Sequence, residues 1–545
     1  MTQQTPTPDL VIAVVGGGMA GLAAAWQLAD DLGASGSGSG SSSRARIVVL
    51  EASSRVGGKV RSTEFCGRTV DVAADAFLAR RPEATGLCSE LGLDDALVSP
   101  GASGAALWSR GRLRMMPDGV NLGVPTKWWP LFRSGILSPG GSARAGVDLF
   151  RPHRATPGAP IDRAVGTVVA ARLGRQVVER LVDPLVGGIH AGGVDELSAE
   201  STFPPLLAAD RLSGSLMRRL GQPPSPAQSP PKPAAAPGTR PTPVFWSLEG
   251  TAARLPAELA AALMARGVVI HTGVAVESIA RTASDGSGLG RWRLILGGDA
   301  AVLAGISHTS GPVEATASVD TTASINKTAS ADTTAILHVD GVILAVPAGQ
   351  AAGLLTDHAP MAATLLADIR HASVAVVTLS MPTGAIRRDL VGTGFLVPRT
   401  ATIAGRAALI TGCTYLTQKW PGLARPDDEL IRLSIGRHGD VRQDELNDDE
   451  LTAAAFGELA GILDIVGQPR HSMVTRWDGA FPQYAVGHLS RTTRIEQSVA
   501  ELPGVAVAGA AYRGVGIPAV IGSGRASARA VLRSLDGPVT GRPGR

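Results

Sequence analysis

Cysteine is scarce. Cys66, Cys88 and Cys413 are the only three in 545 residues, widely separated and odd in number. That excludes a disulfide framework and points to reduced thiols in a cytoplasmic setting. No histidine or cysteine spacing suits a metal, so none is expected. A strong charge of one sign is also lacking: the formal net charge is +4 with 18% charged residues, without the heavy basic surface of a nucleic-acid protein. A secretory signal is not expected, because residues 1–9 are polar and the apolar run after them lacks a basic flank and a cleavage pattern. Residues 10–29 carry no charge and are long enough to cross a membrane. Their glycine cluster argues for another role, and nothing else in the chain is long and apolar enough. Any membrane contact is therefore expected to be peripheral. No internal repeat stands out, and the length predicts two or three domains.

What is there begins with that glycine cluster. The run LVIAVV at residues 10–15 reads as a buried parallel strand and residues 19–32 as an Ala/Leu-rich helix, with Gly16, Gly18 and Gly21 between them in GxGxxG spacing. Glycine serves there for the tight turn, for backbone approach to a pyrophosphate and for packing of helix on strand. The helix N-terminus faces the phosphate with free N–H groups and the positive end of its dipole. A second strand, residues 46–50, ends in Glu51, whose carboxylate can accept both hydroxyls of an adenosine ribose. Thirty residues separate Gly21 from Glu51. Nineteen remain once the Gly/Ser run at 33–43 is set aside as a loop insertion, close to the usual offset of about 20. The bland alternative is a plain strand-turn-helix. Directly after Glu51, Arg55, Gly57, Gly58 and Lys59 form the string RVGGK.

Three low-complexity stretches, residues 33–43, 221–243 and 284–334, bury too little apolar surface to offset their ordering entropy and read as mobile loops. One strand is expected at 63–70, helices at 82–93 and 161–186, and a glycine-dense bend at 186–194 (VGGIHAGGV) that lets a flat ligand lie against bare backbone. A simple bend between helices is the alternative there. Residues 108–154 hold eight Lys/Arg against two acids and include KWWPLF at 127–132. They read as a solvated basic face, a membrane-docking surface or an attractor for a polycarboxylate. Strands are expected at 339–346, 373–380, 472–477 and 504–511, a helix at 252–266, and a closing helix at 523–535. That last helix would aim its N-terminus at the electron-rich edge of a bound ring cofactor.

Taken together, GGGMAG, Glu51, RVGGK, VILAVP, PQYAVGH and YRGVGIP resemble the bacterial-type protoporphyrinogen/coproporphyrinogen oxidase family of the flavin amine oxidase superfamily. The resemblance implies an α/β fold: a Rossmann-like FAD-binding domain, a substrate domain of mixed sheet and helices, and a helical subdomain. FAD-binding parts fall at 1–90, 246–355 and 490–545, substrate-domain parts at 91–115, 203–245 and 356–489, and a membrane-associated helical part at 116–202. By position, noncovalent FAD would meet Gly16, Gly17, Gly18, Met19, Ala20, Gly21, Glu51, Ala52, Arg55, Gly58, Lys59, Val72, Ala73, Ala74, Asp75, Val276, Trp477, Ala510, Val515, Gly516 and Ile517. Gly187, Gly188, Ile189 and His190 would line the substrate site, with no clear acid or base.

Two departures accompany the resemblance. Plant and mitochondrial members place a propionate-binding arginine just before the strand matching Leu107 and Trp108, where this chain has Ser103, Gly104, Ala105 and Ala106. Propionate pairing is then expected from Arg110, Arg112, Arg114 or Lys127. Ala510 stands where relatives often carry a polar residue. The implied reaction is three two-electron oxidations of a porphyrinogen, with O2 as acceptor and H2O2 released, in heme biosynthesis. Coproporphyrinogen III is the first choice and protoporphyrinogen IX the second. A flavin amine oxidase, a carotenoid desaturase and a non-catalytic flavin- or porphyrin-binding protein are remoter alternatives. The expected partners are a tetrapyrrole and O2, with peripheral membrane contact, transient contact with the next heme-pathway enzyme, and no nucleic acid.

Overall fold

The computed structural model describes residues 10–34, 45–150, 161–222, 243–282, 292–299, 302–303, 313–316 and 333–536. Five parallel strands form the sheet that carries the first motif, in the order Val269–Thr272, Ala45–Glu51, Leu10–Val15, Gly341–Leu344, Val505–Val507. Leu10–Val15 lies in its centre, and both faces are covered, which is why it reads as a continuous apolar run rather than an alternating one. Ile12 and Val14 point into the core made by the helices Met19–Ala34 and Ile517–Asp536. Val11, Ala13 and Val15 point to the opposite core, where a four-stranded antiparallel sheet containing Val274–Arg281 and Trp292–Gly298 packs.

A second sheet of seven strands runs in the order His471–Pro482, His371–Pro382, Asp428–Ile435, Ile410–Tyr415, Gly394–Leu396, Ala106–Ser109, Arg112–Met115. The helix Asp448–Leu463 covers one face, its N-terminus closed by a capping box between Asn447 and Glu450. Helices between residues 128 and 220 form a separate apolar cluster. Within it, buried Arg172 pairs with Asp148 at 2.9 Å and Asp210 at 3.0 Å.

Several elements differ from expectation. The single strand expected at 63–70 is a hairpin, Ser62–Phe65 and Arg68–Asp71, because Cys66 and Gly67 both take positive φ in a two-residue turn. The helix expected over 161–186 stops at Leu173, where Gly174 adopts φ +90°, and resumes into a wide π-type helix, Val178–Gly187, containing Pro184. The stretch 284–334, expected to be loop, contains the strand Trp292–Gly298. Trp292, Leu294 and Leu296 alternate inward, and Trp292 Nε1 donates to Pro503 O at 2.8 Å. The first helix extends through Gly33 to Ala34, and residues 35–43 of the expected loop lie outside the described residues, as do 223–242 of the Pro-rich stretch. The closing helix begins at Ile517 rather than 523. Among the described residues, no helix is long and apolar enough to cross a membrane.

Candidate active site

The turn after the first strand is built by close approach. A Cβ at Gly21 would sit 1.8 Å from Gly16 O, and Gly16 itself has φ +106°, so a side chain at either position breaks the turn. Space opens around Gly18, where an added Cβ would meet nothing within 4 Å. Met19 and Ala20 are buried in the first helical turn beside it. Glu51 closes the far side: its Oε2 accepts the Gly17 N–H at 2.7 Å and its Oε1 the Ser53 N–H at 2.9 Å. The RVGGK turn lies against this cradle, with Gly57 N donating to Gly17 O at 2.9 Å. Gly58 is within 3.3 Å of Gly18 for an added Cβ, and Arg55 donates to Val56 O and Gly58 O at 3.4 Å. Ala52 is exposed, and Val276 is a partly buried residue of the strand whose preceding Gly273 N–H bonds to Ser53 O at 2.8 Å. Open backbone at a helix N-terminus beside a carboxylate fits the diphosphate and ribose of a dinucleotide.

A cavity of about 280 Å³ is reached by Lys59 of the RVGGK turn, and with it one wall is formed by Ala73, Ala74, Trp477, Ala510 and Val515. Lys59 opens into the cavity and donates from Nζ to Ala480 O at 2.6 Å; the surrounding protein pushes its pKa below the ordinary lysine value. The segment 71–75 is pinned from a distant strand. Arg432 donates to Asp71 O at 3.0 Å, to Ala73 O at 3.3 Å and to Asp75 Oδ2 at 2.9 Å, and Trp477 Nε1 donates to Val72 O at 3.0 Å. Burial raises the Asp75 pKa, but Arg432 and Lys419 together hold it well below the usual carboxylate range. Asp75 is therefore a structural anion, not a free cofactor contact. Neighbouring Asp71 is different: burial pushes it up to about 7 against the Ala252 N–H bond, and its Oδ1 has no partner.

The opposite wall comes from the π-type helix and the turn after it: Asp183, Pro184, Gly187, Gly188, Ala191 and Gly192. Of the four residues expected to line a substrate site, Gly187 and Gly188 line this cavity, and Ile189 and His190 do not. The short helical turn Gly188–His190 advances each residue by about 100°, which leaves Ile189 49% exposed on the outside. His190 turns away to Tyr484, its ring centroid 5.6 Å from the phenol. Burial, with His488 nearby, pushes its pKa down to about 4, so it is neutral at pH 7. Gly516 and Ile517 start the closing helix, Ile517 being buried.

Arg110, Arg112, Arg114 and Lys127 do not line this cavity. Arg110 and Arg112 sit exposed at a hairpin turn, and Arg114 donates to Ser109 O. The arginines that do line it are Arg432 and Arg437, with Val374, Val376, Thr411 and Ser434 of the seven-stranded sheet. These were missed. The signal available was a cation, Arg432, inside the otherwise apolar alternation LIRLSI.

The model of the flavin containing amine oxidoreductase family matches residues 19–304 and 308–532. A coproporphyrinogen III oxidase of Bacillus subtilis (strain 168) is 30% identical over 525 residues, 96% of this chain and 98% of that protein. One from Propionibacterium freudenreichii subsp. freudenreichii is 31% identical, over 97% of this chain and 92% of that protein. A protoporphyrinogen oxidase of Bos taurus is 28% identical, over 96% and 98%. The crystal structure of a provisionally named protoporphyrinogen oxidase from Exiguobacterium sp. 255-15 superposes with a TM-score of 0.75 at 27% identity, covering 97% of this chain and 100% of that one. The chain belongs to the flavin containing amine oxidoreductase family.

Proposed function

We propose that this chain is an FAD-dependent oxidase that converts coproporphyrinogen III to coproporphyrin III with O2 as acceptor. The observation that carries this reading is the near-full-length similarity to two proteins named coproporphyrinogen III oxidase, at 30% and 31% identity. Gly16 to Gly21, Glu51 and the RVGGK turn would hold the dinucleotide. Lys59, Ala73, Ala74, Trp477, Ala510 and Val515 would hold the ring. Bound there noncovalently, the flavin supplies two-electron acceptance and reoxidation by O2, with release of H2O2.

The chain's own part is to orient a flat macrocycle and to exclude water. The walls bearing Gly187, Gly188 and Gly192 present backbone rather than side chains, so a planar ligand can lie close. Three two-electron steps, which together remove four hydrogens from the meso carbons and two from pyrrole nitrogens, end in an aromatic ring, and that driving force leaves no need for a strong base. The three-part division into FAD-binding, substrate and helical domains is our proposal too. So is a cytoplasmic enzyme that touches the inner face of the membrane and hands its product to the next heme-pathway enzyme. Exposed Trp129 and Phe132 between Lys127 and Arg133 support the membrane contact.

Steady-state oxidation of coproporphyrinogen III and protoporphyrinogen IX by the same preparation tests the substrate. A kcat/KM at least tenfold higher for coproporphyrinogen is expected. A clear preference for protoporphyrinogen overturns the assignment.

A further inference from the structure

Arg437 lines the cavity and is buried, yet its guanidinium donates no hydrogen bond among the described residues. Its ion-pair contact is loose, with Nε 3.9 Å from Asp440 Oδ2. Its Nε is buried without a hydrogen-bond partner, which is costly unless an acceptor arrives. The backbone holds the group in place: Arg437 N donates to Asp440 O at 3.3 Å, and His438 N donates to Ala191 O at 2.7 Å, tying this turn to the glycine-rich wall.

Arg399 lies beside it. Its Nη1 donates to His438 O at 3.3 Å, its Nε stands 3.9 Å from Asp183 Oδ2, and its Nη2 has no partner. Asp440 is already taken, both its oxygens accepting from Arg442 at 2.8 Å. Asp183 is then the one carboxylate facing two guanidinium groups, and it also accepts the Val194 N–H at 3.2 Å. The group is short of one negative charge. Burial, followed by repulsion from Arg399, lowers the Arg437 pKa, as expected for a cation awaiting its counter-ion.

We propose that Arg437, with Arg399 beside it, is the seat of a carboxylate carried by the bound substrate. A planar guanidinium fork matches a carboxylate with two parallel bonds. On the reading of the substrate as a propionate-bearing tetrapyrrole, on which this inference rests, the seat anchors one propionate. The macrocycle then lies between the glycine wall and the cofactor face. This assigns to residues 399 and 437 the role that the basic segment around Arg110 does not fill.

The test uses the flavin-loaded enzyme and the variants R437Q, R437K and R399Q. Dissociation constants are measured by fluorescence for coproporphyrin III and for its tetramethyl ester, alongside KM and kcat for coproporphyrinogen III. R437Q should weaken binding of the free acid and raise KM about tenfold or more, with kcat changed less than about twofold and ester binding unchanged. R437K should recover part of the loss, and R399Q should show a smaller change of the same kind. Equal loss for acid and ester in R437Q, or no loss for either, overturns the proposal. If R437Q does not retain flavin, the same acid-against-ester comparison on R399Q decides. Failure of the wild type to oxidise coproporphyrinogen would overturn the proposed function, while the acid-against-ester comparison, which needs no turnover, still judges the seat.

Discussion

The Tyr484 hydroxyl donates to the carbonyl oxygen of Ala510 at 2.5 Å, and the hydroxyl oxygen itself accepts the Gly514 N–H at 2.8 Å. One buried phenol thereby fixes both ends of the glycine-rich turn that precedes the closing helix, and His488 stacks on its ring with centroids 4.0 Å apart. Ala510 and Val515 of this turn line the cavity.

Tyr484→Phe keeps the ring and the stack but leaves a buried N–H and C=O unpaired, at a cost of about 1–3 kcal/mol. A lower flavin content after gel filtration and a melting temperature reduced by several degrees are expected. Unchanged flavin retention and an unchanged melting temperature would show that the hydroxyl does not hold the turn.

Gly21→Ala places a methyl group 1.8 Å from Gly16 O, a contact that backbone rearrangement must relieve. The variant should be purified without yellow colour, or not as folded protein at all. A flavin occupancy equal to wild type would mean that the glycine cradle is not where the diphosphate lies.

Arg432→Met removes the guanidinium that pairs with Asp75 and bonds to Asp71 O and Ala73 O, leaving Asp75 to Lys419 and the Trp420 N–H. Breaking one member of a buried ionic group costs about 3–5 kcal/mol. A fall of that order in the free energy of chemical denaturation is expected, with loss of flavin affinity because the segment 71–75 is freed. A change below about 1 kcal/mol would contradict the pinning role.

Asp71 gives a pH prediction of definite sign. Its folded pKa of about 7 lies above the ordinary carboxyl value of 3.8, so its contribution favours the fold fully below pH 4 and is lost as pH rises through 7. Asp71→Asn removes this titration. The stability difference, variant minus wild type, should therefore grow more favourable to the variant from pH 5 to pH 8 in chemical denaturation. A difference independent of pH would mean that Asp71 titrates as an ordinary exposed carboxyl.

The part of the fold built on the five-stranded parallel sheet was legible because its signals are local. Gly16, Gly18, Gly21 and Glu51 lie on consecutive elements of one parallel unit, and a strand buried on both faces writes itself as an unbroken apolar run. The hairpin at 62–71 was missed because its turn rests on Cys66 in the left-handed region, which a side chain does not advertise. The strand Trp292–Gly298 was hidden by the Ser/Thr/Gly-rich sequence around it, although WRLIL carries the alternation of a half-buried strand. At the cavity, glycine density pointed to Gly187 and Gly188, which line it, while the side-chain directions of Ile189 and His190 depend on a helical turn that composition does not specify. Arg432 on a strand, and Arg437 in the turn that follows it, reach the cavity from a sheet assembled by pairing of distant segments, and no local pattern ties residue 432 to residue 75.

The central claim is that the glycine cradle and the cavity beyond it hold a flavin in contact with a porphyrinogen. The most direct measurement is the visible spectrum of the purified protein during anaerobic addition of coproporphyrinogen III. The account predicts an oxidised flavin spectrum that bleaches as porphyrin absorbance rises, and that returns on admission of air. A colourless protein, or a flavin spectrum that coproporphyrinogen leaves unchanged, would contradict it.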